Sequence, residues 1–76
     1  MNNLFGNQLV AARKELDLTS ESLAQSCGVS RSYITLIENG RRLPGRKIIP
    51  KIALALNLEP HIVVNWYLED MREKLK

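Results

Sequence analysis

The 76-residue sequence predicts an all-α domain of five helices. Three features carry that reading. Apolar residues near the N-terminus recur at helical spacing, two capping signals open short runs that each close on glycine, and a proline heads a long apolar arc at the C-terminus. The first helix carries the stripe Phe5, Leu9, Ala12 and Leu16, at i, i+4, i+7 and i+11, with Arg13 beside it.

The second helix starts after Thr19, a capping residue flanked by Leu18 and Leu23 in the arrangement of a hydrophobic staple. It runs from about Ser20 to Ser26 or Cys27, where Gly28 offers a positive φ without a Cβ penalty. Ser30 repeats the start signal, and Val29 and Ile34 form a second staple. The third helix then runs from Arg31 to about Asn39 and stops at Asn39-Gly40. Helices this short are marginal alone, so Leu23, Ala24, Val29, Ile34 and Ile37 must share one apolar face. The pair with its tight turn is a helix-turn-helix.

Counted from Ser20, the small Ala24 falls fifth, Gly28 ninth, and Ile34 and Ile37 fifteenth and eighteenth. This spacing resembles the helix-turn-helix of phage repressors and Cro proteins, the Xre-type regulators. The resemblance extends from Leu9 to Leu58 through ARKELDLT, GVSRSYITLIENGRR, Pro44 and KIALALNL. It implies a compact lambda-repressor-like DNA-binding domain. It also implies an ion pair between Arg13 and Glu38, the glutamate of Glu-Asn-Gly, which the position of Arg13 beside the apolar stripe permits. Three positions depart from the family pattern. Ser20 stands where a glutamine usually touches phosphate, so contact there needs a shorter reach or the backbone N–H. Ser22 replaces a glutamate, which removes the return bond of the capping box, and Gly45 follows Pro44 where serine or threonine usually caps the fourth helix.

Six basic residues (Arg31, Arg41, Arg42, Arg46, Lys47 and Lys51) against the single acid Glu38 occupy Arg31 to Lys51, in a chain of net charge +3. Such a stripe is the electrostatic footprint of a phosphate-neutralising surface. With Ile34 and Ile37 inward, Arg31, Ser32, Thr35 and, obliquely, Leu36 project outward, and the family's base-contacting positions coincide with these four. Arg31 suits guanine O6 and N7, Ser32 and Thr35 suit several base edges, and Leu36 or the Thr35 methyl suits a thymine methyl. Phosphate contacts are expected from Ser20, Ser30, Tyr33, Asn39, Arg41, Arg42, Arg46 and Lys47.

The loop Leu43-Pro44-Gly45 leads to a fourth helix over about Arg46 to Leu56, in which Ile48, Ile49, Ile52, Ala53 and Leu56 close the core. Pro50 is tolerated only in a first turn and moves the regular start towards Ile49. The fifth helix, within residues 59–76, opens on Pro60. Its arc of Trp66, Val63, Tyr67, Met71, Val64, Leu75 and Leu68 sweeps about 200°, roughly twice what a surface helix needs. One half closes the core. The other, centred on Val63, Trp66 and Tyr67, is left for a partner, most simply a second copy that sets two reading helices about 34 Å apart on a near-palindromic site.

Catalysis finds no support: His61 has no evident acid or nucleophile beside it, the metal motifs His-Glu-x-x-His and paired Cys-x-x-Cys are lacking, and GRRLPGRK lacks the Gly-Lys-Ser/Thr ending of a phosphate loop. Cys27 reads as a turn-packing residue. A single cysteine excludes an internal disulfide, and with no secretory or long apolar run the expected setting is the cytoplasm, with no membrane, cofactor or small-molecule ligand. The expectation is one DNA-binding domain over residues 1–76, a repressor or controller binding a double-stranded operator as a homodimer, similar to the short controllers of restriction-modification systems. The competing class is an antitoxin-like or anti-regulator interaction module that uses the apolar face of the last helix. RNA binding is disfavoured because the basic stripe lacks stacking aromatics for single strands.

Overall fold

The computed structural model describes residues 4–75, which form helices α1 (Leu4–Glu15), α2 (Ser20–Cys27), α3 (Arg31–Glu38), α4 (Ile49–Ala55) and α5 (Pro60–Lys74), with no strand among them. Residues 1–3 and 76 of the expected domain lie outside the described part. Each of α1 to α4 ends on the same backbone device. The N–H groups of Leu18, Val29, Arg41 and Leu58 donate to the carbonyls of Arg13, Ala24, Leu36 and Ala53, five residues back, at 2.9–3.1 Å. The residue before each donor is left-handed: Asp17 (φ 56°), Gly28 (69°), Gly40 (75°) and Asn57 (60°). Asp and Asn enter that region more readily than other non-glycine residues, which is why two of these stops carry no glycine signal. After three of the stops the next residue is apolar, and Leu18, Val29 and Leu58 turn back onto the core.

The stop at Asp17 corrects one expectation. Because α1 ends at Glu15, Leu16 leaves the helical path and stands exposed instead of continuing the stripe of Phe5, Leu9 and Ala12. The starts agree with the sequence. Thr19 Oγ1 accepts the Ser22 N–H at 3.0 Å and Ser30 Oγ accepts the Tyr33 N–H at 3.1 Å. Thr19 also donates its hydroxyl hydrogen to Ser22 Oγ at 2.9 Å, a side-chain bond that stands where a capping-box glutamate would reach back. α4 is regular only from Ile49, which keeps Pro50 in the first turn, while Ile48 N–H closes a tight turn on Gly45 O.

The core is built from Phe5, Leu9, Leu23, Ala24, Cys27, Ile34, Ile37, Ile49, Ile52, Ala53, Leu56 and Val63. α2 packs on α3 and α4, while α1 bridges α3 and α5. At the bridge, Phe5 meets Trp66 edge to face with ring centroids 5.9 Å apart. Below this pair lies Asp70, only 1% exposed. Its Oδ2 accepts the Phe5 N–H at 2.8 Å and its Oδ1 lies 2.5 Å from Lys74 Nζ. The first turn of α1 has no acidic residue of its own, so a carboxylate from α5 satisfies one of its orphan donors.

This docking removes Val63 from the expected partner surface. Val63 is 0% exposed, and Trp66 and Tyr67 are half-buried against the same core. The half of the arc reserved for a partner is therefore the half that α1 and α4 cover, because Asp70, seven residues after Val63, is drawn inward by the Phe5 N–H. The exposed apolar residues of the arc are Val64, Leu68, Met71 and Leu75. None of the described helices is long and apolar enough to cross a membrane.

Asp70→Ala leaves the Phe5 N–H without its acceptor and is expected to destabilise the fold by about 1–3 kcal/mol. Asp70→Asn retains an acceptor and should lose clearly less. Urea midpoints of the two variants measure the difference, and equal losses would remove the helix-capping role.

Candidate nucleic-acid interface

α3 is amphipathic over eight residues, with Ile34 and Ile37 buried and Arg31, Ser32, Thr35 and Leu36 exposed on the opposite side. These four side chains line one shallow hollow of about 490 Å³. No other segment of the described chain lines it. The sequence therefore placed all four on a common face, and the structure leaves that face open.

What fixes the direction of α3 is a buried polar cluster at its C-terminal end. Arg13 Nε donates to Glu38 Oε2 at 2.8 Å, and both side chains are mostly buried. Arg13 Nη1 also donates to the carbonyl of Leu18 at 2.8 Å, and Ser20 Oγ donates to Glu38 Oε1 at 3.0 Å. One carboxylate thus joins α1, the start of α2 and the end of α3. Burying such a pair is favourable only when its remaining donors and acceptors find partners, and here the carbonyl and the serine supply them. The cluster turns the Ser20 hydroxyl towards Glu38, so an outside phosphate would meet the Ser20 backbone N–H at the head of α2.

Beyond α3 the exposed Arg41, Arg42, Arg46 and Lys47 surround the buried Pro44. Tyr33 organises this loop. Its hydroxyl oxygen accepts the Gly45 N–H at 2.9 Å, and the Arg42 guanidinium carbon lies 4.5 Å from its ring centroid. The hydroxyl hydrogen remains available to a phosphate, so the loop anchor and the expected phosphate contact are compatible. Nothing in the sequence announced the bond to Gly45, because its acceptor lies twelve residues upstream on another element. Ser30, although capping α3 through its oxygen, also retains its hydroxyl hydrogen, and Asn39 is exposed at the other end of the helix. Cys27 is buried at the C-terminal end of α2, beside the turn to α3, and that burial pushes its thiol pKa up, against a smaller opposing effect from Lys51. A protonated, enclosed thiol is a packing group.

The profile of the helix-turn-helix family matches residues 9–63, which hold both the polar cluster and the open face of α3. The chain belongs to the helix-turn-helix family, of Xre type. Among relatives of this regulator domain, the ImmF control region 10 kDa protein of Bacillus phage phi105 is 41% identical over 51 residues, 67% of this chain and 57% of that protein. The HTH-type transcriptional repressor RghR of Bacillus subtilis is 42% identical over 72 residues, 91% of this chain and 53% of the repressor. The chain therefore spans just over half the length of these two relatives. Among solved structures, the restriction-modification controller protein C.AhdI of Aeromonas hydrophila superposes with a TM-score of 0.73 at 37% identity, covering 78% of this chain and 89% of the controller. The all-α, lambda-repressor-type fold expected from the sequence is thus the fold found.

Tyr33→Phe removes the hydroxyl that accepts the Gly45 N–H and keeps the ring under Arg42. The Gly45 amide should exchange with solvent faster, while global stability changes by no more than about 1 kcal/mol, the worth of one exposed hydrogen bond. Unchanged exchange at Gly45 would show that the loop holds its shape without Tyr33.

Proposed function

We propose that this helix-turn-helix chain is a sequence-specific, double-stranded-DNA-binding transcriptional regulator, a repressor or controller that acts by occupying an operator. The observation that carries the reading is the open face of α3, where Arg31, Ser32, Thr35 and Leu36 stand together at the edge of a basic loop. An α-helix fits the major groove, where every base pair presents a distinct set of donors, acceptors and methyl groups. Arg31 donates two hydrogen bonds to guanine O6 and N7, Ser32 and Thr35 bond to neighbouring base edges, and Leu36 contacts a thymine methyl. Ser30, Tyr33, Asn39, Arg41, Arg42, Arg46 and Lys47, with the backbone N–H of Ser20, hold the phosphates on either side and set the depth of α3 in the groove. Function here is binding without chemistry, in the cytoplasm, with the duplex as ligand.

A homodimer on a near-palindromic operator completes the reading, with its interface on the exposed side of α5. Val64, Leu68, Met71 and Leu75 follow one another at spacings of four, three and four, the seam spacing of paired helices, and Leu68 is 50% exposed. A second copy seated there gives the two-fold symmetry that a palindrome mirrors. The same stripe also suits the competing reading, in which a different protein docks on α5.

Arg31→Ala should weaken binding to the preferred duplex by about 1–3 kcal/mol and relax selection at one base position, with a smaller loss on random DNA. Titrations against both duplexes decide, and equal losses would reduce Arg31 to a phosphate contact. Lys47→Ala should weaken all sequences alike and lower the slope of affinity against salt by about one unit.

Sedimentation of the purified chain at micromolar concentration should give twice the chain mass, and Leu68→Glu should return it to a monomer with an unchanged helix content. A monomeric wild type would contradict the dimer and favour a foreign partner on α5.

A further inference from the structure

The hollow on α3 has a chemical character that the general reading of a DNA-binding helix does not require. It is a shallow, open feature lined by Arg31 and Ser32 on one turn and Thr35 and Leu36 on the next. Leu36 is 39% exposed, although Ile34 and Ile37 already supply the inward face of α3. The core therefore does not account for a leucine at this place. Together with the Thr35 γ-methyl and the methylene stem of Arg31, it gives the hollow an apolar lining with hydrogen-bonding groups at the rim.

On the major-groove edge of DNA the exposed apolar group is the 5-methyl of a pyrimidine. Leucine set against the unmethylated edge of cytosine would remove water from polar groups without replacing their hydrogen bonds. We propose that this hollow recognises the pyrimidine 5-methyl group itself, so that 5-methylcytosine substitutes for thymine and cytosine methylation strengthens binding at that position. The inference rests on the proposed DNA-reading role of α3 and goes beyond it. Thymine and 5-methylcytosine carry the methyl at the same ring position and differ beside it, one presenting the O4 acceptor and the other the N4 amino donor. Ser32 and Thr35 hydroxyls donate or accept by rotating, so the rim accommodates either neighbour. The leucine, which neither donates nor accepts, responds only to the methyl. Binding by this regulator would then respond to the methylation state of its site, with Arg31 fixing the adjacent guanine and Leu36 sensing the methyl.

The test starts from duplexes enriched by the full chain out of a random pool. Each thymine of the enriched site is replaced in turn by deoxyuridine, which removes only the methyl, and then by cytosine and by 5-methylcytosine. One thymine per half-site should lose about 4-fold in affinity as deoxyuridine, the equivalent of about 0.8 kcal/mol for one buried methyl. At the same position 5-methylcytosine should bind about 4-fold more tightly than cytosine. Leu36→Ala, with the side chain 39% exposed, should fold as judged by circular dichroism and lose both methyl effects. Enrichment of a site at which deoxyuridine is neutral throughout, or a Leu36→Ala variant that discriminates methyl groups as the wild type does, would overturn this inference and leave the DNA-reading role standing. Failure to enrich any sequence would instead overturn that role, and the methyl reading with it.

Discussion

The Glu38 carboxylate is the fixed point of the molecule. It receives Arg13 from α1 and Ser20 from α2, and it terminates the helix whose other end faces outward. Because Arg13 also holds the carbonyl of Leu18, the entry to α2 and the exit from α3 are tied to one guanidinium. An eight-residue helix has little stability of its own, so its direction must come from outside. The apolar face sets its depth through Ile34 and Ile37, and the polar cluster sets its rotation. In the proposed reading, side chains on α3 are aimed at a groove without first being ordered by it, which limits the entropy lost on binding.

A second organising layer lies at the far side of the same helix. Tyr33 and Gly45 join α3 to the basic loop, and the cation stacked on Tyr33 belongs to that loop. The face proposed to read bases and the residues proposed to hold phosphates are consequently one unit, held at two ends by polar contacts and along its length by the core. α5 is joined to this unit through α1: Asp70 caps the head of α1, and Arg13 near its tail meets α3. The surface assigned to a second copy is therefore built on the same rigid frame as the surface assigned to DNA.

Much of this was legible in the sequence because local signals and tertiary needs agree there. Gly28 and the Asn39-Gly40 pair stop their helices by backbone geometry alone, Thr19 and Ser30 start theirs by capping, and Pro50 and Pro60 admit only a first-turn position. The four outward residues of α3 followed from two isoleucines that had to point inward. The pairing of Arg13 with Glu38 came from family resemblance, since residues twenty-five apart have no local signal. Failures occurred where a residue's role is decided by a distant element. Asp17 ended α1 without glycine and turned Leu16 outward. Asp70 carries no local signal of its role, yet it is buried against the head of α1, and its inward orientation leaves Val64, Leu68, Met71 and Leu75 as the exposed stripe of α5 while Val63 is covered. Periodicity defined the arc correctly but did not orient it.

The most direct test of the account is a backbone-amide chemical-shift map of the chain titrated with its preferred duplex. The largest changes should fall from Ser30 to Leu36 and from Arg41 to Lys47, with a weaker set at the head of α2 and the amides of the buried α5 residues unmoved. Changes confined to α5, with α3 silent, would contradict it.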